Sequence, residues 1–449
     1  MTTTQQKLNI APCQVIRGAP EVPSSKYFTL RYLLAASLAE GESRVYYPAE
    51  SDDSEALFRG CRALGAELSW ADESRQVLRV RGTGGARGIQ QATHGKATTI
   101  NVGNAGAVSR LLLGLGGLCS EVTFVTDHPQ SLGKRPNREL LTALTQLGAR
   151  CIGTGEEGCL PVTIYGGQLH GGHIEISGAR SSQYLSALLF LAPLLEEALN
   201  IDVVDELKSQ PLVRASLEVL REAGIRIEHD EALRHFHIAG GQSYQAREYV
   251  LPGDYPSAAA LLALCAVASD PHSELRLTRL RSDDEVGTTL LGALRAMGVD
   301  LRIDGETVTL RGGRTLRGIR LDGDRVIDCI PVLVAIACFA EGESVFYNIE
   351  GLHYKESDRI DDLCAELNRA GCAVTPQRDA IVVRGRPEGI AGGVSVDGHS
   401  DHRLLMALAT VALRSREGLT LSGVEHIAKS YPHYFEELQR LGVTVTAGH

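Results

Sequence analysis

The chain has 449 residues, 43% of them hydrophobic and 22% charged, and its 55 acidic residues outnumber its 45 basic residues to give a net charge of −10. A single hydrophobic core does not ordinarily serve a chain of this length, so we expect two globular domains. The negative charge argues against a nucleic acid or an acidic membrane as partner. Ten Cys residues without metal-ligand spacing predict neither a zinc site nor a disulfide framework.

The first residues, MTTTQQKLNIAP, contain neither a basic region nor an apolar run, so they do not resemble a secretory signal. No stretch is both long enough and sufficiently free of charge to span a bilayer. We therefore expect a cytoplasmic protein that has no membrane partner.

Six short polar clusters, at intervals of roughly 75 residues, each run directly into about a dozen nearly all-apolar residues. A helix that is apolar on every side must be buried, so each run predicts a buried helix whose polar start alone can meet water. The clusters are Ser24–Lys26, Asn104–Gly106, Ser181–Gln183, Asp254, Asp328 and Asp401–Arg403.

Each predicted buried helix has an amphipathic partner that ends at a Gly, and short strands follow these partners. Glycine ends a helix because it adopts a left-handed conformation at little cost. This alternation predicts a mixed α/β fold. Six repeats divide naturally as three plus three. Pro- and Gly-marked segments near residues 11–23 and 252–254 then predict one domain over 24–253 and another formed by 1–23 plus 254–449.

The polar starts of these helices have two interpretations. Ser, Asn and Asp stabilise any helix start, so capping alone is one of them. The second is anion binding, because a helix start presents unpaired N–H groups and the positive end of the helix dipole. Six starts in register, several with Lys or Arg, favour a shared anionic ligand.

The densest charged cluster is the KESDR run, Lys355–Arg359. On a helix its two cations would be spaced i, i+4, and Glu356 and Arg359 i, i+3, so all three could share one face. A surface salt-bridge turn that contributes little energy would have the same sequence. Arg403 opens a predicted buried helix, where an unpaired guanidinium is costly, so it needs an anionic partner from the protein or from a ligand.

Two further cations precede amphipathic helices. Arg135 lies in the turn Gly133–Pro136, which could instead be an exposed flexible basic turn, and Lys429 precedes the last helix. The positive charge near helix starts exceeds what capping requires, and it suits substrates rich in phosphate and carboxylate. The residues concerned are Lys26, Arg31, Arg135, Lys355, Arg359, Arg403 and Lys429.

The motifs SSK, GNAG, KRP, SSQYL, KESDR, DHR and AKSYP, in this order and spacing, closely resemble the 3-phosphoshikimate 1-carboxyvinyltransferase (EPSP synthase) family of enolpyruvyl transferases over essentially the whole chain. The resemblance implies an inside-out α/β barrel of two domains that close around the substrates. Each domain contains three repeated βαβαββ units with buried parallel helices.

The resemblance also implies a reaction of the shikimate pathway, which leads to aromatic amino acids. The enolpyruvyl group of phosphoenolpyruvate is transferred to the 5-hydroxyl of shikimate 3-phosphate, and phosphate is released. The route is addition followed by elimination through a tetrahedral intermediate, with no metal or organic cofactor. We expect a monomer that binds these small molecules only.

The resemblance assigns roles to particular residues. The catalytic candidates are Lys26, Asp328 and Glu356. The residues expected to bind phosphoenolpyruvate are Lys26, Asn104, Gly106, Arg135, Gln183, Arg359, Arg403 and Lys429. Those expected to bind the acceptor are Lys26, Tyr27, Arg31, Ser181, Ser182, Gln183, Ser209, Asp328 and Lys355.

This sequence departs from the family pattern mainly around the acceptor. Tyr27 stands where a Ser is usual, Ala107 where Thr is usual, Leu111 where Pro is common, Leu212 where an aromatic is frequent, and Gly351 where some members have Asn. The phosphoenolpyruvate set is complete. The departures leave open a specialised enolpyruvyl transferase that acts on another phosphorylated, hydroxylated acceptor.

Two further hypotheses fit the sequence less well. The sister family that acts on UDP-N-acetylglucosamine is disfavoured because the loop from Asp127 to Lys134 contains no Cys and because SSQ is present. A protein that only binds anions would be expected to have lost one of the three catalytic candidates, and all three remain.

Overall fold

In the computed structural model, which describes residues 6–448, the chain forms two compact units. One unit is Ser24–Leu251, and the other combines the segment up to Pro23 with the segment from Pro252 onward. The chain therefore returns two residues before the predicted boundary. Hydrogen bonds explain the difference, since Gly253 N–H donates to the Arg279 carbonyl at 2.7 Å and Asp254 N–H to the Pro23 carbonyl at 2.8 Å.

The Ser24–Leu251 unit contains seven α-helices. They are α1 (Lys26–Leu38), α2 (Asp52–Ala63), α3 (Ala86–Thr93), α4 (Gly106–Gly116), α5 (Arg138–Gln146), α6 (Ser182–Leu191) and α7 (Gln210–Glu222). The three predicted buried helices, α1, α4 and α6, are confirmed. Helix α3 was not predicted, because only Ile89 and Thr93 of its eight residues are buried and they make no apolar stripe.

The described part of the second unit contains six α-helices. They are α8 (Tyr255–Val267), α9 (Glu285–Ala296), α10 (Ile330–Ala337), α11 (Asp361–Ala370), α12 (His402–Leu413) and α13 (Tyr434–Arg440). Every residue of α8, α10 and α12 is buried, as their apolar sequences predict. These three helices pack against one another, whereas in the first unit α4 packs on α6, and α7 packs on both α1 and α6.

Short 3₁₀ turns complete the helical structure: Leu132–Lys134, Ala192–Leu194, Asp324–Cys329, Glu350–Tyr354 and Val424–Lys429. The amphipathic helices end as predicted, at glycines with φ between 85° and 108°. These glycines are Gly65, Gly148, Gly224, Gly298, Gly371 and Gly442. Among residues 6–448, no helix combines the length and the apolar character needed to cross a bilayer.

Within the described residues, each unit also contains three four-stranded sheets with the same spatial order, in which the first two strands are parallel and the later neighbours antiparallel. In Ser24–Leu251 the sheets are Glu248–Val250, Glu42–Tyr46, Val77–Arg81, Glu67–Trp70; then Thr98–Asn101, Val122–Val125, Cys159–Tyr165, Arg150–Thr154; then Gly172–Ile176, Leu199–Val203, His235–Ile238, Glu228–His229. In the second unit they are Arg17–Gly18, Glu274–Leu277, Thr307–Arg311, Asp300–Asp304; then Arg320–Asp322, Glu343–Tyr347, Ala380–Arg384, Val374–Gln377; then Val394–Asp397, Leu419–Ser422, Lys7–Ile10, Val445–Ala447.

Strands distant in sequence complete several of these sheets. The parallel pair Glu248–Val250 and Glu42–Tyr46, with Tyr249 opposite Val45, joins the two ends of one unit. The segment before Pro23 adds one strand to each of two sheets in the second unit. Each unit thus holds three βαβαββ repeats around buried helices, which confirms the predicted two-domain inside-out α/β fold.

A GxGxxG run at Gly153–Gly158 begins in the last two residues of the strand Arg150–Thr154 and leads into the antiparallel strand Cys159–Tyr165. A dinucleotide-binding fingerprint needs such a run between a strand and the start of a helix. The run therefore forms part of a hairpin and does not create a nucleotide site.

Candidate active site

The starts of the buried helices α1, α4 and α6 are only partly explained by capping. The Ser25 hydroxyl accepts from Phe28 N–H at 3.5 Å, and the Ser181 hydroxyl accepts from Gln183 N–H at 3.2 Å. Helix α4, which follows Ala105, has no side-chain cap. Capping therefore accounts for two Ser hydroxyls but not for the cations near these starts.

The ammonium of Lys26, on the first residue of α1, lies 3.1 Å from a carboxylate oxygen of Asp53. Only 4% of the Asp53 side-chain surface is exposed, compared with 19% for Lys26. Asp53 lies in the first turn of α2, where an acidic residue is usual at any helix start. For that reason nothing in the sequence pattern indicates that Asp53 orients Lys26.

Two guanidinium groups converge on Gly106 at the start of α4. A Cβ atom placed on Gly106 would lie 2.5 Å from Nη1 of Arg135 and 2.7 Å from Nη1 of Arg110. Both Arg side chains are buried, which excludes an exposed, flexible turn at Arg135. Arg110 Nη1 also donates to the Gln183 amide oxygen of α6 at 3.3 Å. Helices α4 and α6 and the turn at Arg135 therefore build one cationic cluster.

Arg110 was not among the predicted site residues, although the sequence contains a signal for it. It is the single charged residue of the apolar run that forms α4, and only 5% of its surface is exposed. A buried guanidinium is costly without acceptors, at Arg110 as at Arg403. Arg110 also donates to the Pro136 carbonyl at 3.3 Å, and this bond connects it to the Arg135 turn.

Arg31 is buried, and all of its hydrogen bonds go to neutral groups. Its Nε donates to the Ser216 hydroxyl at 2.8 Å, Nη1 to the Tyr27 carbonyl at 2.9 Å and Nη2 to the Leu212 carbonyl at 3.1 Å. Burial lowers the pKa of Arg31 to about 10, against a smaller raising effect from Tyr27. Within the described part of the chain, no carboxylate pairs with this cation, so its charge is available to an anionic ligand.

The remaining predicted site residues of this unit, three for the acceptor and Asn104 for phosphoenolpyruvate, lie at or just before helix starts. Tyr27 is the second residue of α1, and its ring centroid is 5.0 Å from that of Phe28. Ser182, the first residue of α6, is buried. Ser209 precedes α7 in a left-handed conformation with φ of 51°, and Asn104 comes two residues before α4.

In the second unit the predicted residues surround Arg359, of whose side chain only 2% is exposed. Its Nε donates to Asp401 at 2.7 Å, Nη1 to Asp328 at 2.9 Å and Nη2 to Glu356 at 2.8 Å. Burial lowers the pKa of Arg359, but the charges of Asp401, Glu356 and Asp328 outweigh it and raise the pKa overall. The guanidinium thus fixes three carboxylates around one permanent charge, and the surface salt-bridge interpretation is wrong.

The predicted helical geometry of the KESDR run is also wrong. Residues 355–359 are not helical, and α11 begins only at Asp361. The Asp358 carboxylate accepts from the N–H groups of Ile360 at 3.2 Å and Asp361 at 3.1 Å, so the helix starts after it. Arg359 N–H donates back to the Leu352 carbonyl. The loop still brings Glu356 to Arg359, but through a turn.

Two Lys residues extend this cluster. The Lys355 ammonium lies 3.3 Å from the same Asp328 oxygen that meets Arg359, and the Lys429 ammonium lies 3.3 Å from Glu356. Lys429 and Glu356 are almost fully buried, at 5% and 9% exposed. Each carboxylate is therefore shared between two cations, which fixes both carboxylates in place.

Asp401 connects the KESDR and DHR runs. One of its oxygens accepts from Arg403 N–H at 2.8 Å, and the second accepts from Arg359 Nε and, at 3.2 Å, from the Ser357 hydroxyl. The Arg403 guanidinium meets Asp254 at 3.9 Å, so the expected anionic partner comes from the protein. Arg403 Nε is buried and has no hydrogen-bond partner among residues 6–448. An anionic ligand would satisfy it.

One trio among the described residues, His353, Asp358 and Asp361, has ligand atoms within 4.8 Å of one another. A metal requires a lone pair on one imidazole nitrogen. His353 Nδ1, however, faces the Asp358 carboxylate and Nε2 faces the Arg378 carbonyl, so both nitrogens carry hydrogens. These hydrogen bonds account for the arrangement of the trio without a metal ion.

Comparison with known proteins connects these clusters to one family. The family model of EPSP synthase (3-phosphoshikimate 1-carboxyvinyltransferase) matches residues 10–438. The chain is 42% identical to the 3-phosphoshikimate 1-carboxyvinyltransferase of Deinococcus radiodurans, covering 96% of this chain and 95% of that protein. It is 33% identical to the 3-phosphoshikimate 1-carboxyvinyltransferase of Burkholderia pseudomallei, over 96% of this chain and 93% of that protein.

A solved structure agrees with this match. The EPSP synthase of Acinetobacter baumannii superposes with a TM-score of 0.80 at 26% sequence identity, covering 99% of this chain and all of that one. The match in sequence and the match in fold both extend over nearly the whole chain. The chain belongs to the EPSP synthase (3-phosphoshikimate 1-carboxyvinyltransferase) family.

Proposed function

We propose that this protein transfers the enolpyruvyl group of phosphoenolpyruvate to the 5-hydroxyl of shikimate 3-phosphate and releases phosphate. The observation that carries the proposal is the arrangement around Arg359. There Asp328 and Glu356 are held in place by Arg359 and are each paired with a second cation, Lys355 or Lys429. Family membership supports the same reaction.

The chemistry needs three proton transfers at two atoms, C3 of phosphoenolpyruvate and the acceptor hydroxyl oxygen. C3 of phosphoenolpyruvate gains a proton, the acceptor hydroxyl loses its proton as its oxygen bonds to C2, and the C2–O bond to phosphate breaks as C3 gives a proton back. Carboxylates and an ammonium can perform these transfers when they are positioned beside the reacting atoms. We assign them to Asp328, Glu356 and Lys26, each of which is oriented by an ion pair.

The binding assignments follow the charge of each cluster. The phosphate of phosphoenolpyruvate is assigned to Lys26, Asn104, Gly106, Arg135 and Gln183, and its carboxylate to Arg359, Arg403 and Lys429. Arg suits both anions because its planar fork donates two parallel hydrogen bonds. We add Arg110 to the residues assigned to this phosphate, because it contacts Gln183.

The acceptor is assigned to a second set of residues. Ser181, Ser182 and Ser209 bind its phosphate, Lys355 and Asp328 its ring hydroxyls, and Arg31 its carboxylate. Arg31 supports this assignment because it is a buried cation held by neutral groups only. Every residue proposed for both substrates belongs to one chain, so we propose that the monomer is the active species.

A phosphate-release assay with phosphoenolpyruvate and shikimate 3-phosphate tests the function. We expect turnover with both substrates and none with either alone, and we expect the activity to elute at the mass of one chain. Tight phosphoenolpyruvate binding without turnover would overturn the assignment of the acceptor. It would favour a transferase specialised for another phosphorylated, hydroxylated acceptor.

Gly106→Ala tests the cationic cluster at α4. The added methyl group would lie below 3.0 Å from the tips of Arg135 and Arg110, so both guanidiniums must move. We expect the KM for phosphoenolpyruvate to rise about tenfold, which corresponds to ~1.4 kcal/mol of binding. Gly292→Ala in α9 is the matched control, because a Cβ there meets nothing within 4 Å. An unchanged KM in Gly106→Ala would remove this cluster from the substrate site.

A further inference from the structure

His353 closes the loop that carries two of the proposed active-site residues. It lies in the 3₁₀ turn Glu350–Tyr354, and its Nδ1 is 2.7 and 2.8 Å from the two carboxylate oxygens of Asp358. Lys355 and Glu356 lie between these two residues in the sequence. The His353–Asp358 contact therefore ties the two ends of the segment that presents both side chains.

The partners of His353 require a protonated ring. Its Nε2 lies 3.0 Å from the Arg378 carbonyl, in the turn between the strands Val374–Gln377 and Ala380–Arg384. A carbonyl oxygen and a carboxylate only accept hydrogen bonds, so both imidazole nitrogens must donate. Burial lowers the pKa of His353, but the bonds to Asp358 and Arg378 and the charge of Asp361 outweigh it and raise the pKa overall.

The charged groups near this imidazole are mostly acidic. Helix α11 contributes Asp361, whose carboxylate lies within 4.8 Å, and Asp362, which accepts from Asp358 N–H at 3.1 Å. Further charged groups lie on the elements packed around this turn. Glu350 of the same turn pairs with Arg378, and Asp379 lies in the strand hairpin. The packed 3₁₀ turn Asp324–Cys329 carries Asp328, which pairs with Lys355, and also Asp324 and Arg325, the latter paired with Glu285. A cation at His353 suits this environment.

We propose that protonated His353 is a positioning residue that holds Lys355 and Glu356 in their working geometry, and that its deprotonation releases their loop and lowers turnover as the pH rises. The inference rests on the roles proposed above for Lys355 and Glu356. Asp358 connects the protonation of His353 to the loop. Its carboxylate accepts a hydrogen bond from His353 and also accepts from the N–H groups at the start of α11, next to Arg359.

The direction of the pH effect follows from the sign of the pKa change. A His whose pKa is higher in the folded protein than in the unfolded chain stabilises the fold fully below its unfolded pKa. That contribution is lost as the pH rises through the folded value. The kcat of the wild type should therefore fall on the alkaline side of the raised His353 pKa.

His353→Arg and His353→Gln test the proposal through pH profiles of kcat and of the KM for phosphoenolpyruvate. Arg keeps two donors and a charge at every assay pH, so the alkaline fall of kcat should move to higher pH. Gln has no titrating group, so the kcat of His353→Gln should be about tenfold lower than that of the wild type below the His353 pKa. The pH profile of this variant should lack the His353 titration, and its KM should change less than its kcat. Thermal unfolding of both variants checks that they are folded.

The control is His235→Arg. In the wild type, His235 makes a similar contact, 2.7 Å to Asp202, but on an exposed sheet face. This variant should keep the wild-type profile. Wild-type pH profiles in both folded His353 variants would overturn the inference, as would lower thermal stability with unchanged profiles. Lys355→Met separates a failure of the His353 inference from a failure of the proposed role of Lys355. If Lys355→Met keeps full activity, the proposed role of Lys355 fails and the inference about His353 fails with it.

Discussion

Glu356→Gln is expected to lower kcat at least about a thousandfold while the protein still folds, with a lowered thermal unfolding temperature. Glu356 is 9% exposed and lies between Arg359, at 2.8 Å, and Lys429, at 3.3 Å. Gln has the same shape and still accepts a hydrogen bond, but it can neither take nor give the proton assigned to this carboxylate. A proton-transfer group typically contributes 10²–10⁴-fold to the rate, roughly, and the loss of charge between two cations adds to this.

Glu437→Gln is the matched control for this experiment. Glu437 is also 9% exposed and also pairs with an Arg three residues away, Arg440, but it lies in α13 and has no proposed catalytic role. Steady-state kinetics of the two variants, together with thermal unfolding, separate catalysis from stability. Full activity of Glu356→Gln would remove Glu356 from the mechanism, and equal losses in both variants would indicate a general effect on the fold.

Arg31→Gln is expected to raise the KM for shikimate 3-phosphate by about a hundredfold or more, with a smaller change in the KM for phosphoenolpyruvate. Arg31 is a buried cation whose three hydrogen bonds go to neutral groups. Removing one partner of a buried, hydrogen-bonded charge pair costs about 2–5 kcal/mol, which corresponds to roughly 30-fold or greater loss of affinity. The measurement is initial-rate kinetics with each substrate varied in turn.

Arg414→Gln is the control for Arg31→Gln. Burial also lowers the pKa of Arg414, and its guanidinium donates to the Val267 and Pro387 carbonyls and lies 5.4 Å from the ring of Phe339. We expect a lower unfolding temperature for this variant and an unchanged KM for both substrates. A normal KM for the acceptor in Arg31→Gln would reassign the acceptor carboxylate to another cation.

Much of the fold could be predicted because its signals are local. Apolar runs such as that of α8 predict burial wherever they lie, and a Gly such as Gly65 ends a helix through its own conformational freedom. Helix α3 was missed because only two of its residues face the core, and Ile89 and Thr93 alone define no period.

The candidate site was predicted less completely than the fold. The predicted site residues do not include four side chains that contact them. These are Asp53, Arg110, Asp254 and Asp401, which contact Lys26, Gln183, Arg403 and Arg359 respectively. Asp53 and Asp254 each have an ordinary role at a helix start, which hides the second contact. The geometry of KESDR was wrong because the Asp358 side chain competes with the helix for backbone N–H groups, and helical spacing does not include that competition.

The six buried helices, the glycines that end their partners and the family motifs can all be read from the sequence, because burial and helix termination depend on neighbouring residues. The pairing of charges between distant segments, by contrast, follows from the packing of the folded chain. Asp328 and Asp401 lie 31 and 42 residues from Arg359 in the sequence, yet both contact its guanidinium. Arg31, by contrast, meets no carboxylate among the residues described. Ion pairs depend on distances of a few ångströms between distant segments, and packing alone sets those distances.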